Sequence, residues 1–103
     1  MNTKERVPKS FKLFGSTINV VWNNKRLNDK EAYGFSNYST DQIMLSTHDH
    51  GEELSEGRVL DTFYHERTHQ ILDAMGEREL SSNEKFVDVF SKLQRQADET
   101  AEY

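Results

Sequence analysis

The sequence predicts an α+β fold: a short antiparallel sheet of three or four strands, then a long helix, then a second, C-terminal helix. Two observations predict it. Apolar residues alternate with polar ones in the first half of the chain and recur at helical spacing in the second half. Turn-forming residues punctuate the first half and thin out in the second. A third observation sets the scale. The chain has 103 residues and no cysteine, which suits one domain, residues 1–103, built on a modest core without disulfides.

Each element follows from its own residues. Phe11 and Leu13 flank Lys12, and Ile18, Val20 and Trp22 alternate with Asn19 and Val21. Gly15-Ser16 between these runs is expected to form a two-residue type II′ loop, with Gly first. Asn23-Asn24 ends the second strand, and the stretch from Leu27 to Glu31 reads as a loop or a short helical turn. A second hairpin is expected from Tyr33 to Ser46. Tyr33 and Phe35 alternate before the turn, Ile43 and Leu45 alternate after it, and Asn37, Ser39, Thr40 and Asp41 supply the turn. His48 to Gly57 reads as a loop running into a helix. Leu60, Phe63, Tyr64, Ile71, Leu72 and Met75 then recur at helical spacing, and Gly76 stands where a helix C-cap prefers glycine. Ser81 and Ser82 are expected to open the last helix, with Phe86, Val87, Phe90, Leu93 and Ala97 as a core-facing stripe and a polar tail from Asp98 to Tyr103.

The totals remove several function classes. A net charge of -5 argues against nucleic acid as partner, since a phosphate-backbone binder needs a basic stripe. The local cluster Lys4, Arg6, Lys9 and Lys12 reads as a solvated segment. No apolar run reaches the roughly 18 residues of a membrane span, and no apolar segment follows the basic N-terminus as in a signal peptide. A cytoplasmic protein with no membrane partner is the resulting expectation. Without cysteine, any zinc must be held by His and carboxylates, the chemistry of catalytic more often than structural sites.

One pentapeptide carries that chemistry: His65-Glu66-Arg67-Thr68-His69. On a helix, residues four apart lie on one face about one turn apart, so His65 and His69 can aim two imidazoles at one ion. Glu66 sits too far round to ligate the same ion easily. It can reach a water held there, which is the position of a general base. A catalytic zinc takes a third protein ligand. The positions where a metzincin carries Gly and His are Leu72 and Met75 here, so the ligand comes from elsewhere. Glu84 in Asn83-Glu84-Lys85-Phe86-Val87-Asp88 is the candidate. The same Ser81-Ser82-Asn83-Glu84 also fits a capping box, in which Glu84 turns back to Ser81. Asp88, four residues after Glu84, either orients a histidine through its far nitrogen or is a solvated helix acid. Asp73, four after His69, carries the same two readings. His48 and His50 read as solvated loop histidines.

H-E-R-T-H followed by N-E-K-F-V-D resembles the gluzincin signature, an H-E-x-x-H with a later N-E-x-x-x-D as in thermolysin-like metallopeptidases. The small size resembles the minigluzincins. Phe63 to Gly76 is similar to small phage and prophage proteins described as metallopeptidases, and the Tyr38 to Ser46 hairpin to a strand pair of ImmA/IrrE-type metallopeptidases. The resemblance spans about Tyr33 to Leu93. It implies a zincin-like domain and a zinc-dependent peptidase acting on a peptide or protein substrate. It further implies His65, His69 and Glu84 as zinc ligands, Glu66 as catalytic base, and Asp88 as the acid orienting the first histidine. The Gln42 to Ser46 strand would then be the sheet edge that holds an extended peptide. One departure stands out. Thermolysin-like enzymes carry a Tyr between the two motifs as oxyanion stabiliser, and Gln70 to Asn83 contains neither Tyr nor His. Tyr38, His50, Arg78 and Tyr103 are the substitutes to consider. A catalytically weak, zinc-bound interaction module is the alternative expectation. In a further variant the tail from Gln94 to Tyr103 covers the cleft.

Overall fold

Alternating strands pair where their apolar faces can be covered, and the computed structural model, which describes residues 2–103, puts those faces on one side of a four-stranded sheet. Strand β1 (Ser10–Leu13) pairs antiparallel with β2 (Ser16–Trp22). Leu13 opposes Ser16, so the loop is Phe14-Gly15, not Gly15-Ser16. Both loop residues have positive φ, 50° and 84°. That is the type I′ geometry, whose twist matches the flanking strands, in place of the expected type II′. Helix α1 (Asn24–Asp29) follows, capped by the Asn23 side chain, which accepts from the Arg26 backbone N–H. It buries Leu27 completely.

Strands β3 (Gly34–Asn37) and β4 (Gln42–Leu45) form the expected second hairpin, joined by a 3₁₀ turn at Tyr38–Thr40 and a left-handed Asp41. The sheet they join is mixed, which corrects the expectation of an antiparallel sheet. β4 lies parallel to β2, Asn19 beside Gln42 through Trp22 beside Leu45, and the order is β1-β2-β4-β3. Burial explains the order. Ile18 and Val20 of β2 and Ile43 and Leu45 of β4 are the core residues of the sheet, and adjacency in the middle covers them all with one helix. The Gln42–Leu45 strand is therefore interior, and β3 is the edge. The expected His48 to Gly57 loop contains a small hairpin, β5 (His48–Asp49) with β6 (Glu52–Glu53), turned by left-handed His50 and Gly51.

Helix α2 (Glu56–Ala74) starts at Ser55, whose hydroxyl accepts from the Arg58 backbone N–H. It ends with left-handed Gly76 one residue beyond its cap, as expected. Leu60 and Phe63 pack on the sheet with Val7, Ile18, Val20, Ile43 and Leu45. Helix α3 (Arg78–Ser82) and helix α4 (Glu84–Thr100) complete the chain. Ser81 and Ser82 close α3 instead of opening α4. Asn83 caps α4 by accepting from Phe86 N–H at 3.0 Å, so no capping box forms. The expected core stripe of α4 is also corrected. Val87 is buried, yet Phe90 is 41% and Leu93 59% exposed. Polar locks set that orientation: Arg95 donates to Asp61 (2.9 Å) and to Gly57 C=O, Tyr64 donates to Asp98 (2.9 Å), and Arg67 donates to Gln94. The segment from Gln94 to Tyr103 supplies no lining residue to the clefts described below. No helix among the described residues is long and apolar enough to cross a membrane.

Candidate metal centre

One helical turn on α2 separates His65 from His69 and brings their ring centroids to 5.0 Å. The first residue of α4 completes the group. Glu84 Oε2 lies 3.1 Å from His65 Nε2, and its Oε1 lies 3.3 Å from His69 Nε2. One donor atom from each residue lies within 4.8 Å of the others. Zn–N and Zn–O bonds of about 2.0–2.1 Å in a tetrahedron put ligands about 3.3 Å apart. The two carboxylate-to-imidazole distances, one from each Glu84 oxygen, are close to that value, so the donor set could hold a metal ion of zinc's size. No other group of three His, Cys, Asp or Glu side chains among the described residues converges this way. His48 is held by Thr47 Oγ1 at 2.9 Å, and His50 lies 3.5 Å from Glu31 and 3.7 Å from Asp49.

The far nitrogens are also placed. His65 Nδ1 is 3.7 Å from Asp88 Oδ1, whose other oxygen accepts from Lys92 at 3.1 Å. Asp88 thus stands behind the first histidine at ion-pair distance. Behind His69 the partner is Ser81, with Oγ 3.1 Å from Nδ1. Of the two readings open for Asp73, orienting acid or solvated helix acid, the first is not met, because Asp73 makes no hydrogen bond to His69. It lines the cleft and acts on His69 only through its charge. Burial lowers the pKa of His69, with Glu84 and Asp73 pulling the other way. Burial therefore favours the neutral imidazole that a metal requires. Ser81 carried no sequence signal beyond its cap motif, which pointed to the wrong partner.

Glu66 is 9% exposed, beside the donor group and under strand β3. Burial, then the charge of Glu84, pushes its carboxyl up to about 8. Gly34 explains how β3 comes so close. A Cβ at Gly34 would run into Thr62 Cγ2 and stand 3.2 Å from both Glu66 Cγ and Oε2. An isolated glycine within a strand pattern is the one signal that could have flagged it.

β3 has strand β4 on one side only. Ser46 N–H donates to Tyr33 C=O, and the antiparallel alternation then turns the backbone groups of Gly34 and Ser36 away from β4, to the open edge. A cleft beside the donor group is lined by Gly34, Phe35, Ser36, Glu66, Asp73 and Glu84, with both histidines. A second cleft continues past His65 and Glu66 to Tyr33, Arg58, Thr62 and Lys92. None of Tyr38, His50, Arg78 and Tyr103 lines either cleft. Polar donors that do line them, and that sequence reasoning missed, include Tyr33, Arg58 and Lys92, with the Arg58 guanidinium 5.5 Å from the Tyr33 ring centroid.

No protein-family model, no curated protein and no solved structure matches this chain.

Proposed function

We propose that this chain is a zinc-dependent metallopeptidase with a zincin-like active site in a cytoplasmic protein, acting on an extended peptide or protein segment. The observation that carries the proposal is the convergence of His65, His69 and Glu84 from two helices, with a buried carboxyl, Glu66, beside them. Zinc, when bound, supplies Lewis acidity toward a carbonyl oxygen and lowers the pKa of water to about 7. His65, His69 and Glu84 would hold it. Asp88, at ion-pair distance, and Ser81, at hydrogen-bond distance, stand at the Nδ1 atoms and would leave both Nε2 atoms free to ligate. Glu66 accepts a proton from the attacking water on one oxygen and can deliver it to the departing amine nitrogen. Burial and Glu84 raise its pKa in the metal-free chain, and a cation beside it would favour the carboxylate that accepts the first proton. Backbone N–H and C=O groups of Gly34 and Ser36 give an extended chain an edge to pair with, which positions a peptide carbonyl over the donor group.

Metal content of the purified wild type and of Glu84→Ala tests the site. About one zinc per chain in the first, sharply reduced in the second, is expected. Zinc unchanged by the substitution refutes the ligand set. Glu66→Gln then tests the chemistry: it should keep zinc and lose hydrolysis of unfolded protein substrates. The second reading, a zinc-bound module without useful catalysis, draws on the absence of Tyr38, His50, Arg78 and Tyr103 from the clefts. It expects a zinc-loaded wild type that cleaves nothing.

A further inference from the structure

α4 is amphipathic, but its apolar face is the outer one. Phe86, Val89, Phe90, Leu93 and Ala97 follow at i, i+3, i+4, i+7 and i+11, a single stripe along the helix. Val89, Phe90 and Leu93 are 51%, 41% and 59% exposed, and the rings of Phe86 and Phe90 stack with centroids 5.5 Å apart. The side of α4 that meets α2 uses Val87, Ser91, Gln94, Arg95 and Asp98 instead. A contiguous outward stripe of this kind marks an interaction surface.

We propose that this face of α4 pairs antiparallel with the same face of a second copy of the chain, about a two-fold axis between Phe90 and Leu93. Three features select that occupant. The stripe is self-complementary in size when reversed: Phe86 then meets Ala97, and Phe90 meets Leu93, so large side chains meet smaller ones. Its charges also match on reversal. Lys85 and Glu99 share one flank of the helix, and the antiparallel arrangement sets Lys85 of one copy beside Glu99 of the other. Arg6 and Arg95 both bond Glu99 through Oε1, which leaves Oε2 for that lysine. Lys92 comes near its own copy at the axis, where Asp88 already neutralises it at 3.1 Å. The antiparallel arrangement also opposes the two helix dipoles. A contact of about five side chains per copy falls below the roughly 800 Å² per partner of a standard interface, so the dimer is weak and concentration-dependent. The stripe itself contains none of the three donor residues, although the Lys92–Asp88 pair at its margin also lines the second cleft.

Sedimentation of the full-length chain from about 10 µM to about 1 mM tests the pairing. The mass should climb from 12.1 kDa toward twice that value. Leu93→Glu should hold it at 12.1 kDa over the same range, with an unchanged circular dichroism spectrum. Val89→Lys serves as a second variant should Leu93→Glu misfold. Because the chain has no cysteine, oxidising a mixture of Phe86→Cys and Ala97→Cys reads the direction. Mixed cross-linked dimers are expected, with few from either variant alone. A wild type that stays at monomer mass at every concentration overturns the proposal. So does association that survives both charged substitutions, or cross-links between like positions.

Discussion

Helices α2 and α4 together build the donor group, yet they bury opposite kinds of surface. α2 lies between the sheet and α4 and is covered on two sides. It buries Val59, Leu60, Phe63 and Leu72, and also Glu66, Thr68 and Gln70. α4 is covered on one side, and there it turns inward a valine, a serine and a set of hydrogen-bonding groups. Its strongest apolar side chains face out. The pairing shows that an amphipathic pattern defines the two faces of a helix but not which face the rest of the chain covers. It also separates two jobs. α2 spends its burial on rigidity around Glu66, while α4 is held by polar locks that fix the direction of Glu84 without needing an apolar seam.

The largest expected effect lies on α2. Glu66→Gln should lower kcat by about 10²- to 10⁴-fold with zinc content unchanged, because it removes the proton acceptor and leaves the ligands alone. Activity close to wild type in that variant would remove Glu66 from the chemistry. On the same helix, Phe63→Ala should cost about 3–5 kcal/mol of unfolding free energy by denaturant titration. The outer-face counterpart Leu93→Ala, measured on dilute monomer, should cost no more than about 0.5 kcal/mol. Equal costs would break the comparison between the two helices.

The buried carboxyl gives a pH dependence of definite sign. Glu66 titrates at about 8 in the folded chain against an ordinary value of 4.5. Between those values the folded chain keeps a proton that the unfolded chain has lost. Stability of chelator-treated protein should therefore fall as pH rises from about 5 to about 8, by an amount on the order of a few kcal/mol. Glu66→Gln should flatten the slope. Zinc should reduce it too, since a cation beside the group favours the carboxylate. A change in melting temperature between pH 5 and pH 8 that is the same in zinc-free wild type and in Glu66→Gln would contradict the burial argument, since the lowered pKa of His69 acts with the opposite sign in both. A smaller effect is expected from Ser81→Ala, which leaves His69 Nδ1 without its hydroxyl partner and should weaken zinc affinity about 10- to 100-fold. Unchanged affinity would mean that the turn of α2 alone orients the ring.

Local spacing explains which parts were readable. The strands, the second hairpin, the Gly76 stop of α2 and the one-turn spacing of His65 and His69 depend on residues within a few positions of each other. Glu84 is readable as a candidate donor only together with the upstream H-E-x-x-H helix, since taken alone its cap motif is the equally local reading. Ser81 was assigned to a helix start, because Ser-Ser-Asn-Glu satisfies that rule without reference to His69, 12 residues earlier in the chain. The loop at Phe14-Gly15 was displaced by one residue because a glycine serves either position of a primed turn, and the register with β2 decides.

What the amino-acid order determined by itself is the set of parts: an α+β chain, two imidazoles one helical turn apart, and an acid beside them. Periodicity and capping act over short range, so their consequences travel with the sequence. What only the tertiary structure decided is which parts meet. It set β4 beside β2 to bury the four sheet residues Ile18, Val20, Ile43 and Leu45 together, and so made β3 the open edge over Glu66. It also brought Glu84 to His65 across 19 residues of chain, and to His69 beside it, and turned the apolar stripe of α4 outward. Those choices depend on burial and hydrogen bonding between distant residues, where the free energies of competing arrangements are compared over the whole fold and no local pattern records the outcome.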